Sequence, residues 1–282
     1  MEILNGKVVA EHLLQKVKLE TEVLMRHGGR RPHLTVIIVG NDRASEIYVS
    51  NKKKACEKIG MSSDIIALPA MTTTQELVQL IATLNSNPQV DGILVQLPLP
   101  KTINSSEVLS AITPNKDVDC FGSMAMGKVF SGQAEIYPCT PAGVIKICEY
   151  YKLPLKGKNA VVVGKSNIVG KPMAVMLLDR GATVTVCHSK TEDLKGFTRQ
   201  ADIVVVAAGV PHLLTTQDFK KGAVVIDVGI HRQENKIIGD VLNEGADDHL
   251  AAMTPVPGGV GPMTIACLLE NTLTLSKKNQ GR

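Results

Sequence analysis

The sequence predicts an α/β protein made of two α/β domains with parallel sheets. Two observations carry that expectation. The chain has 282 residues, close to twice the usual domain size. Along it, short β-branched runs alternate with helical segments, which is how βαβ units read in sequence. A chain this long buries roughly three quarters of the surface its unfolded form exposes, so it needs no disulfide or metal staple.

Taken in order, residues 7–28 repeat apolar positions at helical spacing (Val9, Leu13, Val17 and Val23 among them) and stop at Gly28-Gly29. LTVIIVG (34–40) reads as a buried strand, and 43–60 as a helix closed by Gly60. DIIALP (64–69) is a second strand, and Thr73-x-x-Glu76 is a capping box opening a helix through Leu84. DGILVQLPLP (91–100) is a third strand, stopped by prolines that cannot continue a ladder. Residues 113–137 show little periodicity and several turn formers, so an irregular connection is expected there. A helix from about Pro141 to Tyr151 leads to four richer strands at 160–164, 182–188, 201–209 and 223–229. Their starts lie about 20 residues apart, one βα unit each. TPVPGGVGP (254–262) is the densest Gly/Pro stretch, and an amphipathic helix at 263–276 follows.

Composition excludes several classes. Apolar residues are 44%, charged residues 21%, and the formal net charge is +4, the balance of a globular protein. There is no Trp, with four Phe and four Tyr (Tyr48, Tyr137, Tyr150, Tyr151), too few for the stacking platforms that single strands or flipped bases require. No long basic block exists to track a phosphate backbone. Nucleic acid is therefore not the expected partner. The six Cys are scattered, with no C-x-x-C pair and no Cys/His cluster at zinc spacing, so no metal site is expected. Free thiols of this kind suit a reducing cytoplasm. The first residues lack a basic segment followed by an apolar one, and no apolar run approaches the ~18 residues of a membrane span.

VVVGKSNIVGKPMAVMLL (161–178) runs strand, tight loop, helix. Such a junction aims unpaired helix N-terminal N–H groups at a phosphate. Gly164 permits the turn, and Gly170 permits close packing or phosphate approach. The G-K-S tripeptide at 164–166 is not a P-loop, because the Gly that motif needs five residues earlier is Asn159. Nor is the loop a full G-x-G-x-x-G, since Ser166 stands where the second Gly belongs. An ordinary βα turn reads similarly. The next strand tip, Cys187-His188-Ser189-Lys190, has no acid before Glu192. An NAD site places an acid there for the ribose 2′-hydroxyl, so this tip favours NADP, with Lys165 adding charge. An exposed polar turn fits the same residues if the loop binds nothing. Two more strands end in glycine-bearing tips, Gly209-Val210 and Gly229-Ile230.

Tyr48 and Lys52 are four apart on an expected helix and share a face. Gln96 ends a strand and Asp119 follows in the irregular connection. If they converge, they supply an aromatic wall, a tunable amine, an amide to position it and a carboxylate anchor. The plain alternative is that Lys52-Lys53-Lys54 is a solvated charge run and that Asp119 caps a helix or turn.

With these residues assembled, the chain resembles the bifunctional methylenetetrahydrofolate dehydrogenase/methenyltetrahydrofolate cyclohydrolase family over essentially its whole length. The carriers are Tyr48-Val49-Ser50-Asn51-Lys52, DGILVQLPLP, KDVD (116–119), PCTPAGV (138–144), VVGKSNIVGKP (162–172), CHSKT (187–191) and TPVPGGVGPMT (254–264). The resemblance implies a folate-side catalytic domain at 1–138, completed by a C-terminal helix at 263–282. It implies a Rossmann-type NADP-binding domain at 139–262, with the active site in the interdomain cleft. Enzymes similar to this oxidise 5,10-methylenetetrahydrofolate to the 5,10-methenyl form by hydride transfer, then add water to give 10-formyltetrahydrofolate for purine biosynthesis.

By motif position, Lys52 is then the key catalytic group, Gln96 orients it, Tyr48 packs against the folate, and Asp119 holds the pterin's amino-bearing edge. Pro257, Gly258 and Gly259 would line the substrate cleft, or form a rigid hinge. Gly164, Lys165, Ser166, Ile168, Val169, Gly170, His188, Ser189, Gly209, Val210, Gly229 and Ile230 would bind NADP. A homodimer is implied in the same way. The chain departs from the family's pattern at Cys120 (usually Gly), Gly122 (His), Ala125 (Asn), Lys128 (Arg), Lys165 (Arg) and Leu242 (Asp). These departures put in question the shape of the pterin-side loop and how strictly NADP is preferred over NAD. They leave open a dehydrogenase-only member or a silent folate or nucleotide binder.

Overall fold

The computed structural model describes residues 1–40, 43–234 and 236–281, with the side chains of residues 43–48 outside the description. In chain order the elements begin β1 (Glu2–Ile3), α1 (Gly6–Arg26), β2 (His33–Val39), α2 (Arg43–Lys58), β3 (Ser62–Leu68) and α3 (Thr74–Ser86). Next come β4 (Gly92–Val95), α4 (Ser105–Ala111), α5 (Ser123–Phe130), α6 (Cys139–Tyr150), β5 (Asn159–Val163), α7 (Gly170–Leu178) and β6 (Thr183–Cys187). The remainder are α8 (Leu194–Thr198), β7 (Ile203–Val206), β8 (Leu214–Thr215), β9 (Val224–Asp227), β10 (His231–Gln233) and β11 (Lys236–Ile238). Then follow β12 (Val241–Leu242), α9 (Ala246–His249), β13 (Ala252–Met253) and α10 (Val260–Asn279). The chain divides into two compact units, one of Met1–Glu11 and Pro138–Cys267, the other of His12–Tyr137 and Leu268–Arg282.

In the second of these units a three-stranded parallel sheet has the order β3-β2-β4. β2, HLTVIIV, is central and buried along all but its first residue, which is why it reads as an unbroken apolar run. Ile37, Val39, Ile93 and Val95 of the sheet pack with Leu77 and Ile81 of α3 into the core. The Thr73 hydroxyl accepts from the Glu76 N–H and the Glu76 carboxylate accepts from the Thr73 N–H, so the capping box opens α3 as expected. The chain leaves β2 for β3 on one side and crosses to β4 on the other, which makes the carboxyl end of β2 a topological switch point. A Cβ at Gly92 would stand 2.5 Å from Val118 Cγ1. Glycine there lets the 116–118 turn lie against β4, where Ile93 and Asp117 form a parallel bridge. Asn271 of α10 secures the same turn, donating to the Val118 and Tyr137 carbonyls at 2.8 Å each.

Two expectations fail in this unit. The irregular connection at 113–137 contains α5, whose buried Ala125 and Val129 lie one turn apart. Its N-cap is Gly122, with no side-chain cap bond, and Gly127 sits inside it, so tertiary burial rather than local propensity holds it. The strand expected at 91–100 ends at Val95, and the chain bends at Leu97-Pro98 instead of continuing it.

The other unit carries a six-stranded sheet in the order β1-β13-β9-β7-β5-β6, parallel at every pairing. Val161, Val163, Val204, Val206 and Val225 form its core with Met253 and Leu214. β5 runs to β6 on one side, and β7, β9 and β13 follow on the other, so the switch point is the carboxyl end of β5. The expected strands at 201–209 and 223–229 end at Val206 and Asp227. Their last residues are irregular tips that follow the strands at that edge. The short β1, β10, β11 and β12 carry no periodicity long enough to read; β1 and β12 become strands by pairing with distant partners, and β10 and β11 by pairing with each other.

Candidate active site

Lys52 sits on α2, the first helix after β2, and Gln96 is the first residue after β4. The topology therefore brings both to the carboxyl edge of the small sheet. The Gln96 N–H donates to the Ile37 carbonyl at 2.8 Å, which anchors the residue to the end of β2. The Gln96 amide then points one way: its Nε2 donates to the Leu97 carbonyl at 2.7 Å, leaving Oε1 to accept from the Lys52 ammonium at 2.9 Å. Lys52 is only 8% exposed, whereas Lys53 and Lys54 are exposed. The solvated charge run thus describes two of the three lysines. Lys52 is a buried cation aimed by a fixed neutral acceptor. Tyr48 lies in the backbone of α2 one turn before Lys52, and its side chain falls outside the described residues.

Asp119 is half-buried in the turn after the Asp117 bridge. Because that bridge is parallel, the chain advances along β4 toward the edge where Gln96 sits. Asp117 is the support of this turn. Its carboxylate accepts from the N–H groups of Phe121 at 3.3 Å and Gly122 at 2.8 Å. Burial pushes its pKa up to about 6; the Gly122 hydrogen bond opposes the rise and the nearby Asp119 charge adds to it. Lys116 is also buried, with Nζ donating to the Leu84 and Asn87 carbonyls at the end of α3. Burial holds its pKa below the usual lysine range. Of KDVD, then, the first two letters, Lys116 and Asp117, are structural. Cys120 has φ +59°, a left-handed conformation that costs a non-glycine residue about 1–2 kcal/mol. The glycine that the resemblance leads one to expect there would have a backbone reason.

The nucleotide loop follows β5. A Cβ on Gly164 would run into the Ala207 carbonyl oxygen, and one on Gly170 into the Gly164 carbonyl oxygen. Both glycines are therefore required by close backbone approach. Ser166, in place of a second glycine, accepts from the Val169 N–H at 3.2 Å and the Gly170 N–H at 3.3 Å, so its hydroxyl caps the start of α7. Lys165 and Ser166 are exposed, and Ile168 and Val169 half-buried. At the β6 tip, the His188 N–H donates to Thr191 Oγ1 at 2.9 Å, and the Lys190 N–H to His188 Nδ1 at 3.2 Å, leaving Ser189 exposed. Gly209-Val210 and Gly229-Ile230 end the neighbouring parallel strands β7 and β9, so all four tips share one sheet edge. Pro257-Gly258-Gly259 follows β13 next along the sheet; the Gly258 carbonyl accepts from the Lys7 N–H at 3.1 Å. A strand–loop–helix with no room for side chains and an anion-attracting helix start fits a dinucleotide.

Sequence reasoning missed the groups beneath these tips. Asp227 and Asp240 are fully buried, and His231 lies beside them. Asp227 accepts from the N–H groups of Gly229, Asp240 and Val241 at 2.9, 3.0 and 3.0 Å. Burial raises its pKa to about 6 against those three bonds. The available signal was an acid closing the apolar run VVID and a second acid after Gly239.

The family model described as tetrahydrofolate dehydrogenase/cyclohydrolase, catalytic domain, matches residues 4–119, and the one described as its NAD(P)-binding domain matches 138–280. The bifunctional protein FolD of Bdellovibrio bacteriovorus is 53% identical over 278 residues, covering 98% of this chain and 96% of that protein. The crystal structure of the FolD methylenetetrahydrofolate dehydrogenase/cyclohydrolase of Campylobacter jejuni superposes with TM-score 0.94 at 47% identity, covering 99% of both chains. The dehydrogenase-cyclohydrolase of Trypanosoma brucei, complexed with NADP cofactor and inhibitor, superposes with TM-score 0.93 at 38% identity, covering 98% of this chain and 97% of that one.

Proposed function

The chain belongs to the tetrahydrofolate dehydrogenase/cyclohydrolase family, and from that premise we propose a bifunctional one-carbon enzyme. It oxidises 5,10-methylenetetrahydrofolate to the 5,10-methenyl form with NADP, then hydrolyses that product to 10-formyltetrahydrofolate. The observation that carries the reading is the buried Lys52 ammonium held 2.9 Å from Gln96 Oε1 at a switch-point edge.

Ring opening adds a water oxygen to the methenyl carbon, breaks that carbon's bond to N5 and releases one proton overall. A buried amine with one fixed acceptor can pass protons between water and N5 while its remaining N–H bonds stay directed at the reacting atoms. Gln96 orients it without adding a charge. Asp119 is assigned to the amino-bearing edge of the pterin, where a carboxylate accepts a pair of N–H bonds. Tyr48 is assigned as the aromatic wall, and Pro257, Gly258 and Gly259 as backbone that a ligand can approach.

NADP, when bound, supplies the hydride acceptor. The 164–170 loop and the α7 start would hold its phosphates. His188 and Ser189, with no acid beside them, suit a 2′-phosphate. The tips at Gly209-Val210 and Gly229-Ile230 complete the edge. The domain assignment is folate chemistry in 1–138 with 263–282, and cofactor binding in 139–262, with β1 of the first segment joining the six-stranded sheet of the second. A cytoplasmic setting is supported by six buried free thiols. A homodimer feeding purine biosynthesis is supported by family membership, and by the open edge at β6, where Val186 is exposed. Among the described residues no helix is long and apolar enough to cross a membrane.

The test is spectrophotometric. Methylenetetrahydrofolate with NADP should yield reduced cofactor, and methenyltetrahydrofolate absorbance should then decay faster than in buffer. No reduced cofactor with either NADP or NAD overturns the reading; reduction without accelerated decay reduces it to a dehydrogenase.

A further inference from the structure

Beneath the β7 and β9 tips lies a buried acid that the reaction itself does not use. We propose that Asp240 is a positioning residue that sets these two tips in their cofactor-binding arrangement; the proposal rests on the NADP-dependent reading above. Its Oδ2 accepts from two successive main-chain N–H groups, Ala208 at 2.7 Å and Gly209 at 2.9 Å. Its Oδ1 lies 2.7 Å from His231 Nε2. The carboxylate is 0% exposed, so these partners are what make burying it tolerable.

The same group stands against the next tip. A Cβ at Gly229 would collide with Asp240 Oδ1, so the β9 tip passes beside the carboxylate only as glycine. Asp240 is itself held from below, because Asp227 accepts the Asp240 N–H and the Gly229 N–H through one oxygen. The result is a brace running from the end of β9 through Asp227 and Asp240 to the β7 tip. What it holds in place is apolar. Val210 is 46% exposed and Ile230 45% exposed, although each directly follows a braced glycine. Two exposed aliphatic side chains on adjacent strand tips suit the face of a flat heteroaromatic ring, and their spacing is set by the one carboxylate between them. Gly209, with φ +68°, has little conformational preference of its own. Without the brace that tip would sample many arrangements, and binding would carry the cost of ordering it.

The prediction separates cofactor binding from folate chemistry. In Asp240→Ala the NADP dissociation constant, measured by calorimetry, should rise at least tenfold, with KM for NADP rising in step. Hydrolysis of methenyltetrahydrofolate supplied without NADP should change less than twofold. Asp240→Asn keeps an acceptor for both N–H groups and should restore affinity to within about threefold of wild type. His231→Ala, at a partly exposed ring, should fold normally and weaken NADP about threefold by freeing the carboxylate to rotate. Amide exchange at Ala208 and Gly209 should quicken in Asp240→Ala and in His231→Ala.

Unchanged NADP affinity in Asp240→Ala overturns the proposal. So does a parallel loss of binding and hydrolysis, which marks Asp240 as a fold-holding group only. If Asp240→Ala does not fold, His231→Ala decides, and wild-type affinity there overturns it. Failure of the wild-type enzyme to bind NADP would instead sink the functional reading on which the proposal rests.

Discussion

At the carboxyl edge of β3-β2-β4 the proposed chemistry rests on side chains: a buried ammonium, an amide that aims it, and a carboxylate in the following turn. At the carboxyl edge of the six-stranded sheet it rests on backbone, with glycines at the tips of β5, β7 and β9 and buried acids beneath two of them. Both edges are switch points of parallel sheets. The contrast teaches that the same topology serves a reaction or a cofactor depending on what is placed above it. Proton transfer needs a titratable group with one fixed neighbour. Recognition of a large polar ligand needs main-chain donors that side chains do not obstruct.

The sharpest way to break the contrast is Lys52→Met. Hydrolysis of methenyltetrahydrofolate should fall at least ~100-fold while calorimetric NADP affinity stays within twofold. Normal hydrolysis in this variant would remove the side-chain half of the comparison.

The matching test of the other edge is Gly170→Ala. The added Cβ meets the Gly164 carbonyl oxygen, which cannot move without shifting the β5 turn. A cost of about 3 kcal/mol is expected, read as a lower denaturation midpoint, with NADP affinity lost ahead of hydrolysis. Equal loss of both functions would mean that the loop serves the whole fold rather than the cofactor.

Asp117→Asn probes a feature the two edges share. Asp117 and Asp227 both have pKa values raised to about 6 by burial. A raised folded-state pKa means that the folded protein binds the extra proton between about pH 4 and 6. The stability so gained is fully present below the unfolded value of 3.8 and lost as pH rises through 6. Asparagine cannot titrate. The unfolding free energy of Asp117→Asn, relative to wild type, should therefore improve by on the order of 2–3 kcal/mol between pH 4 and pH 7. A difference independent of pH would show that Asp117 stays ionised across that range.

The smallest effect is expected at Cys120. Cys120→Gly removes the left-handed strain at φ +59° but also a buried side chain, so stability should change by less than about 1 kcal/mol. Cys120→Val, with a branched Cβ in the same conformation, should lose clearly more. Equal melting temperatures for these two variants would show that backbone conformation does not govern this turn.

Different parts of the molecule were legible for different reasons. β2, α3 and the 160–178 strand–loop–helix read directly, because their signals are local: an unbroken β-branched run, a capping box, a turn between strand and helix. Ser166 was legible as a departure from the glycine pattern but not as a cap, since its partners, the Val169 and Gly170 N–H groups, exist only once α7 has formed. α5 was missed because Gly122 and Gly127 weaken its local signal and burial of Ala125 and Val129 replaces it. Lys52 looked like its neighbours in a run of three. Only packing of α2 on the sheet separates a buried lysine from two solvated ones.

By itself the sequence determined the alternation of elements, the glycines at strand ends and the ordered motifs that identify the family, because each depends on residues near one another in the chain. Tertiary structure decided the rest. It chose which lysine meets Gln96, 44 residues away, and which acid in KDVD is a support. It also set Asp240 under a strand tip that precedes it by 31 residues. Those outcomes follow from the order in which parallel strands assemble. That order is fixed by burial summed over the whole sheet, which no local window contains.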